Sequence, residues 1–363
     1  MSPKIYLTVI SFFLTAPVVI AQQQNNTNDS VHTILGSQTP GTTNSLDIHF
    51  NGFAFLDDHE YDALIPLRKT ISGTRTALDL GYNLDSSNHF VVGINALHEF
   101  GGKPYFLKAD PVAYYSYNSK HWLFNAGQFP RQDLLTQYPR ALLNDTMQYY
   151  RPNVQGLLIR SRHKLGYETA WIDWISRQTP TDRNQFMAGE LGTFIPYPGH
   201  PFYISHFFLF EHDAGSKSDT TAAIQDSGGA QIRLGLDFSH RTIFDSLKFE
   251  IGGMGTAHRT RTLYNFKISR GFVASVYMSY KRFSIFDEFY RGDPNYLTFA
   301  DPFYSKPIYN RFDFIYSAFM GKHLKGQFIL GLHQSPGRLS DSQPGFKVIY
   351  DIGRKTLARF NDD

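Results

Sequence analysis

The sequence predicts an all-β protein that folds as a single antiparallel transmembrane β-barrel of about sixteen strands, within a range of about fourteen to eighteen. The first observation is that short segments of alternating apolar and polar residues recur from about residue 45 to residue 354. In segment 231–239 the apolar residues stand at every second position from Ile232 to Phe238, so they share one face of a strand. The second observation is an N-terminal export signal, and the third is that long and short links alternate between the segments. Together these features are the signature of a barrel whose outer face meets lipid while its lumen meets water.

The N-terminal residues 1–21 have the pattern of a secretory signal peptide. Lys4 carries an early positive charge, an apolar stretch follows, and Val19 and Ala21 supply the small residues that a signal peptidase requires before its cut. A membrane-anchoring helix is the alternative, but the apolar stretch is shorter than the ~20 residues that span a bilayer. Residues 22–44 are rich in Gln, Asn, Thr and Ser. We therefore expect a disordered periplasmic lead-in before a barrel domain at 45–363.

Composition narrows the class further. Aromatic residues make up 16% of the chain, with 22 Tyr and 32 Phe, and barrels place such residues in the lipid-facing band and in the girdles at both interfaces. The chain has no Cys, which excludes thiolate catalysis and metal sites built from Cys. A net charge of +3 gives no reason to expect nucleic acid as a partner.

The alternation also sets the order of the strands. We place them at 46–55, 74–82, 89–100, 112–117, 121–128, 155–161, 168–177, 185–195, 202–212, 230–239, 247–258, 272–281, 283–290, 311–320, 326–334 and 346–353. Short links such as 118–120 and 321–324 alternate with long ones such as 129–154. Outer-membrane barrels have short periplasmic turns and longer external loops. The pattern therefore predicts an outer-membrane protein of a Gram-negative bacterium with both termini in the periplasm.

Charged residues fall on one face of the predicted strands. Phe249 and Ile251 should meet lipid while their neighbours Lys248 and Glu250 meet the lumen, because a Lys or Arg that faces the bilayer midplane costs about 2–4 kcal/mol. The residues predicted to face the lumen are Arg233, Asp237, Lys248, Glu250, Arg311 and Asp313.

Enzyme motifs are not recognisable in the sequence. It contains no Gly-x-Ser-x-Gly, no phosphate-binding loop and no dinucleotide fingerprint, and its His residues are scattered singly. Barrel proteases and phospholipases assemble their catalytic groups from distant strands, so spacing alone cannot reveal such a set. Glu99, Asp173, Glu190 and Glu250 are candidate carboxylates, but lumen carboxylates paired with Arg or Lys are the favoured interpretation. The prediction is that the protein is not an enzyme and needs no metal or other cofactor.

Several aromatic segments resemble a known group of proteins. The hairpin 113–127, the Phe-Pro-Arg of 129–131 and the Tyr-Tyr-Arg-Pro-Asn of 149–153 are similar to those of porin-like outer-membrane proteins of Bacteroidota-type bacteria. The resemblance covers most of the mature chain. One departure is at the C terminus, where barrels usually end on an aromatic residue, whereas Phe360 is followed by three more residues.

The long loop 129–154 is the candidate functional segment. On this strand count it is the third external loop, which in classical sixteen-stranded porins folds inward and narrows the channel, and the resemblance implies the same here. The candidate constriction residues are Arg131, Asp133, Arg140, Asp145, Tyr149, Tyr150 and Arg151. Their small positive excess predicts a weak preference for anions, or binding of sugars. The alternative is an external loop over the barrel rim whose arginines are solvated or paired.

The sequence therefore predicts a porin-like channel for passive or weakly selective diffusion of small hydrophilic solutes, anions or sugars. A barrel subunit of an outer-membrane export or assembly complex is the alternative, and a barrel hydrolase is less favoured. The expected partners are outer-membrane lipid and a small hydrophilic solute, and either a homo-oligomer or a larger outer-membrane complex is compatible with the sequence.

Overall fold

Sixteen antiparallel strands close into a barrel in the part of the chain that the structure, a computed structural model, describes: residues 43–61, 70–218, 223–337 and 341–360. The strands are β1 (Ser45–Asp58), β2 (Thr70–Asn83), β3 (Asn88–Glu99), β4 (Lys108–Asn118), β5 (Trp122–Pro130), β6 (Asn153–His163), β7 (Gly166–Ser176), β8 (Gln185–Phe194), β9 (Phe202–Asp213), β10 (Gln225–Asp237), β11 (Ser246–Thr260), β12 (Lys267–Tyr280), β13 (Phe283–Gly292), β14 (Ile308–Met320), β15 (Leu324–Gln334) and β16 (Asp341–Arg359). The predicted fold and strand number are confirmed. The predicted signal peptide and nearly all of the lead-in lie outside the described residues.

The barrel closes because β1 pairs with both β2 and β16. Ser45 lies opposite Asn83 on one side and Arg359 on the other. Phe360 follows β16 directly, and its backbone N–H donates to the carbonyl oxygen of Asn44 at 2.9 Å. The closed ring pairs every strand edge, as a lipid environment requires.

Short links and both ends of the barrel sequence lie at one end of the barrel, called here the short-turn end. The links 164–165 and 281–282 are examples. The longer links 131–152 and 293–307 lie at the opposite end, the long-loop end. That the short-turn end faces the periplasm stays a prediction.

The outer wall is apolar and the inner face is polar. Along β10, Ile232 is 58% exposed while its neighbours Gln231 and Arg233 are buried. Phe249 and Ile251 of β11 are likewise exposed. An apolar surface of this extent is costly in water and suits contact with lipid.

The segment 131–152 crosses the interior of the barrel. It contains two short helices, α1 (Gln132–Leu135) and α2 (Met147–Tyr150). The Tyr138 hydroxyl donates to the carbonyl oxygen of Phe208 in β9 at 2.8 Å, while the Tyr149 hydroxyl donates to Asp57 Oδ2 in β1 at 3.1 Å. Since β1 and β9 stand on opposite sides of the ring, the segment must pass between them. Among the described residues, no helix is long and apolar enough to cross a membrane.

A second long link, 293–307, packs against the first inside the barrel. It includes a 3₁₀ turn, Pro302–Ser305. The Asn144 N–H donates to the Phe299 carbonyl oxygen at 2.6 Å, and the Asp301 N–H donates to the Arg140 carbonyl oxygen at 2.9 Å. The two links bring an apolar core into the barrel, with fully buried members that include Leu134, Leu142, Leu143, Tyr304 and Tyr309. Much of the interior is therefore filled by protein.

Candidate functional site on the outer wall

The predicted constriction residues Arg131 and Arg151 lie together against β6 and β7. Arg131 is 1% exposed, its guanidinium contacts the Asp173 carboxylate, and its Nε donates to the Arg151 carbonyl oxygen at 2.8 Å. Arg151 donates to the Ile175 carbonyl oxygen at 3.2 Å. Both arginines are thus held by partners on the barrel wall and in the segment itself.

Arg140 and Asp145 form a separate pair. Arg140 Nε lies 2.9 Å from Asp145 Oδ2, and a terminal nitrogen of Arg140 lies 3.3 Å from Asp313 Oδ2 in β14. Burial opposes ionisation of Asp145, but Arg140 and Arg311 outweigh it and lower the pKa of that carboxyl to about 2. Because β7 and β14 are seven places apart in the ring, the Arg131 pair and the Arg140 pair lie against different sides of the barrel.

The remaining predicted constriction residues contact the wall near β1 to β3. The Tyr149 hydroxyl bonds to Asp57, and the Tyr150 hydroxyl donates to Glu99 Oε1 at 2.8 Å. Asp133 belongs to α1, but its side chain lies outside the described residues.

The residues predicted to face the lumen form ion pairs inside the barrel. Arg233 donates to Glu250 Oε2 at 2.8 Å and to Glu288 Oε2 at 2.7 Å. Lys248 Nζ lies 3.2 Å from Asp237 Oδ2, and both line a cavity of about 550 Å³ in the short-turn half of the interior. Arg311 Nε donates to Asp313 Oδ1 at 2.9 Å and pairs with Asp301.

A different polar cluster stands on the outer wall near the long-loop end. The register of three neighbouring strands brings it together: Asp226 of β10 lies opposite His212 of β9 and opposite Arg259 of β11. Residues opposite each other in a sheet share a face, and alternation from the exposed Ile232 puts this row on the outer face. His212, Asp226, Arg259 and Arg261 are called here the wall cluster.

Asp226 is the centre of the wall cluster. His212 Nδ1 lies 2.9 Å from Asp226 Oδ1. Arg259 Nε donates to Asp226 Oδ2 at 2.9 Å, and Arg261 donates to both carboxylate oxygens at 2.7 and 3.1 Å. Asp226 is only 3% exposed, whereas the His212 side chain is 17% exposed and that of Arg261 is 44% exposed. A buried carboxylate thus holds one imidazole nitrogen and two guanidinium groups at an accessible surface.

Aromatic side chains surround the wall cluster. The Phe186 ring lies 5.1 Å from the His212 ring, and the Arg259 guanidinium lies 4.5 Å over the Phe266 ring. Further along the same outer face towards the barrel middle, Phe208 and Ile232 are exposed. A charged rim above an apolar wall is the arrangement expected where lipid headgroups meet acyl chains.

Sequence reasoning missed this cluster. His212 appeared as one of several single histidines, because fourteen positions separate it from Asp226. Only the strand register, which pairs the end of β9 with the start of β10, shows that His212 and Asp226 are neighbours.

One group among the described residues could hold a metal ion. Glu168, Glu190 and His206 offer ligand atoms that all lie within 4.8 Å of one another. Of the four candidate carboxylates from the sequence, Asp173 and Glu250 pair with arginines inside the barrel.

The fold is similar to that of solved outer-membrane proteins, with low sequence identity. OccK11 (OpdR) of Pseudomonas aeruginosa has a TM-score of 0.54 at 9% identity, with 85% of this chain and 98% of that chain covered. The trimer form of OmpT, an outer membrane protein of Vibrio cholerae, has a TM-score of 0.53 at 10% identity over 85% and 99% of the two chains. An anion-selective porin from Comamonas acidovorans has a TM-score of 0.50 at 9% identity over 86% and 99%. These likenesses show a porin-like barrel fold.

Comparison with sequence-family models gives information about function as well as fold. No curated protein sequence matches the chain significantly, but the model of the family described as lipid A 3'-O-deacylase-type matches residues 37–337. This match overturns the prediction that the protein is not an enzyme, because the family is an enzyme family. No catalytic motif is recognisable in the sequence, because residues that are distant in the chain come together only when the strands pair. The match spans most of the chain, which therefore belongs to the lipid A 3'-O-deacylase-type family.

Proposed function

We propose that this protein is an outer-membrane ester hydrolase that removes an acyl chain from an anionic glycolipid of the lipid A class. The observation that carries the proposal is the His212–Asp226 pair, flanked by two arginines on the lipid-facing wall at the long-loop end. Family membership supports the same reaction class. Lipid A lies in the outer leaflet, so the proposal requires the long-loop end to face the cell exterior and the termini to face the periplasm.

The proposed reaction is hydrolysis with His212 as general base. Asp226 accepts a hydrogen bond from His212 Nδ1, which leaves Nε2 as the basic nitrogen. A water molecule gives its proton to Nε2 as its oxygen attacks the ester carbonyl carbon. The tetrahedral intermediate then expels the sugar alkoxide, which takes the proton from His212, and the products are a fatty acid and an alcohol. The guanidinium groups stabilise the negative charge that develops on the carbonyl oxygen.

The surroundings of the wall cluster fit a lipid substrate. Arg259 and Arg261 can each donate to a phosphate group while the acyl chain lies on the exposed Phe208 and Ile232. The Phe186 ring packs against the imidazole, with the two ring planes tilted by 33°. This combination selects a phosphorylated amphiphile over a free sugar or a peptide.

The test is fatty-acid release from lipid A in mixed micelles, followed by mass spectrometry of the glycolipid. We expect His212→Asn to lower the turnover about a hundredfold or more. The control is His121→Asn, an exposed histidine at the short-turn end, which should act like the unchanged protein. Undiminished release by His212→Asn would contradict the proposed site, and no release by the unchanged protein would contradict the proposed function.

A weakly selective channel for small anions or sugars is a second candidate. The observation that favours it is the cavity of about 550 Å³ lined by charged residues such as Lys248 and Asp237. In this proposal the segment that carries Arg131, Arg140 and Arg151 narrows the path, and their positive charges set its preference. Planar bilayer recordings should then show discrete conductance steps, and replacing the three arginines with Ala should shift the reversal potential towards cation preference. A silent bilayer with a co-purifying protein would instead indicate a subunit of a larger complex.

A further inference from the structure

We propose that Glu168, Glu190 and His206 form a divalent-cation site on the outer wall, and that Zn²⁺ is the ion that fits them. His206 Nε2 lies 3.0 Å from Glu168 Oε2 and 3.8 Å from Glu190 Oε1. All three ligand atoms lie within 4.8 Å of one another. The site is independent of the proposed hydrolase site.

Three neighbouring strands position the ligands. Glu168 of β7 lies opposite Gly192 of β8, and Gly192 lies opposite His206 of β9. Glu190 stands two positions before Gly192, so alternation puts it on the same face. The exposed Phe208, two positions after His206, identifies that face as the outer one.

Gly192 makes the approach of the ligands possible. A Cβ at this position would lie 2.3 Å from the nearer Glu168 carboxylate oxygen and 2.6 Å from the other. Any other residue would displace the carboxylate. The glycine therefore lets the Glu168 and His206 side chains meet above the middle strand, although a whole strand separates their backbones.

The donor set and its spacing fit zinc. Zinc binds His nitrogen at about 2.0–2.1 Å and carboxylate oxygen at about 2.0–2.2 Å in a tetrahedron, so neighbouring donors lie about 3.3 Å apart. The observed separations of 3.0 and 3.8 Å lie on either side of that value. Mg²⁺ and Ca²⁺ prefer sets made of oxygen alone. Three protein ligands would leave one position of the tetrahedron for a ligand from outside the protein.

The charge of the site also favours a cation. Two carboxylates close together repel each other, and a divalent ion offsets that repulsion. The side chains of Glu168 and Glu190 are 44% and 55% exposed, and that of His206 is 33% exposed, so none of the three is covered by other parts of the described protein.

The site is distinct from the wall cluster. His206 and His212 lie on the same outer face of β9 but six positions apart, which corresponds to about 20 Å along a strand. His206 is nearer the short-turn end, since β9 runs from that end to the long-loop end. Failure of one site therefore leaves the other untouched.

The experiment uses the purified barrel in detergent micelles, freed of metal by a chelator, and Zn²⁺ competition against a chromophoric chelator. The unchanged protein should bind one zinc ion per chain. His206→Asn and Glu168→Gln should each weaken binding about tenfold or more. Gly192→Ala should do the same without removing a ligand, because its Cβ displaces the Glu168 carboxylate.

His121→Asn is the matched control, since it removes an exposed histidine near the same end of the barrel and should leave zinc binding unchanged. Heat-modifiable migration on a gel checks that each variant is folded. Absence of zinc binding by the unchanged protein would overturn the proposal. Unchanged affinity in folded His206→Asn or Glu168→Gln protein would overturn it as well.

Discussion

Asp226 shows how single residues build the wall cluster. Its carboxylate is almost fully buried, yet it accepts hydrogen bonds from two arginines and lies 2.9 Å from His212 Nδ1. A buried carboxylate with charged partners holds their geometry, because hydrogen bonds to charged groups are stronger than those between neutral groups. The imidazole and the guanidinium groups therefore depend on one side chain for their position.

Replacing Asp226 with Asn should lower turnover of the glycolipid about a hundredfold or more while changing KM less. The amide cannot stabilise a protonated His212 and presents one acceptor oxygen in place of two. Steady-state fatty-acid release measures both parameters. Asp182→Asn, which changes an exposed carboxylate in the link after β7, should keep both parameters of the unchanged protein. Full turnover by Asp226→Asn would show that His212 acts without this partner or not at all.

Asp145 makes the free energy of unfolding depend on pH below about pH 4. Its pKa in the folded protein, about 2, lies below its ordinary value of 3.8. Its contribution is therefore complete above about pH 4 and is lost as the pH falls through 2. The difference in unfolding free energy between the unchanged protein and Asp145→Asn should be constant from pH 7 to about 4 and shrink below that, as measured by urea unfolding in detergent. A difference that does not change with pH would mean that the Arg140 contact does not depend on the charge of Asp145.

The segment 131–152 is the element that occupies the barrel interior and contacts opposite walls. Tyr138 fixes its middle, with its hydroxyl bonded to the carbonyl oxygens of Glu190 and Phe208 and accepting from Trp171 Nε1 at 3.0 Å. Gly189 provides the space, because a Cβ there would lie 2.4 Å from the Tyr138 hydroxyl oxygen. The segment is thus held by two opposite walls rather than lying over the rim.

Tyr138→Phe should lower the free energy of unfolding by about 1–3 kcal/mol, because the Trp171 N–H loses its acceptor in a buried site. Urea unfolding of the refolded barrel, followed by tryptophan fluorescence, gives the value. Tyr197→Phe is the comparison, since Tyr197 is 69% exposed and should change stability little. Equal stability of both variants would indicate that the segment is not anchored at Tyr138.

At the scale of the whole molecule, two inward links fill much of the barrel interior. The closed sheet is similar to that of solved outer-membrane barrels, and the apolar core that includes residues of the 131–152 and 293–307 links lies inside it. A wall site then becomes the natural place for chemistry, because the substrate of the proposed reaction lies in the membrane.

Replacing residues 133–149 with a short Gly-Ser link should open the interior and raise the ion conductance of the barrel in planar bilayers. The reason is that the core residues Leu134, Tyr138 and Leu142 leave with the segment. Shortening the exposed link 101–106 is the control and should leave conductance unchanged. Equal conductance of the two deletion proteins would mean that the segment does not block the interior.

The sequence by itself determined the closed sheet. Alternation is local, so segments such as 231–239 predict a strand and its two faces without knowledge of any partner, and all sixteen strands are present in the structure. The last strand is longer than its local pattern predicts, since β16 continues to Arg359, beyond the predicted end at 353.

Only the tertiary structure decided what fills the barrel and which residues meet on its wall. The segment 131–152 has no periodicity, so its sequence carries no signal for the walls that Tyr138 and Tyr149 contact. His212 and Asp226 meet because β9 and β10 pair in one register, and Glu168 and His206 meet because a glycine lies between them. Such contacts depend on pairing between distant parts of the chain, whereas the alternation that predicts a strand depends only on neighbours.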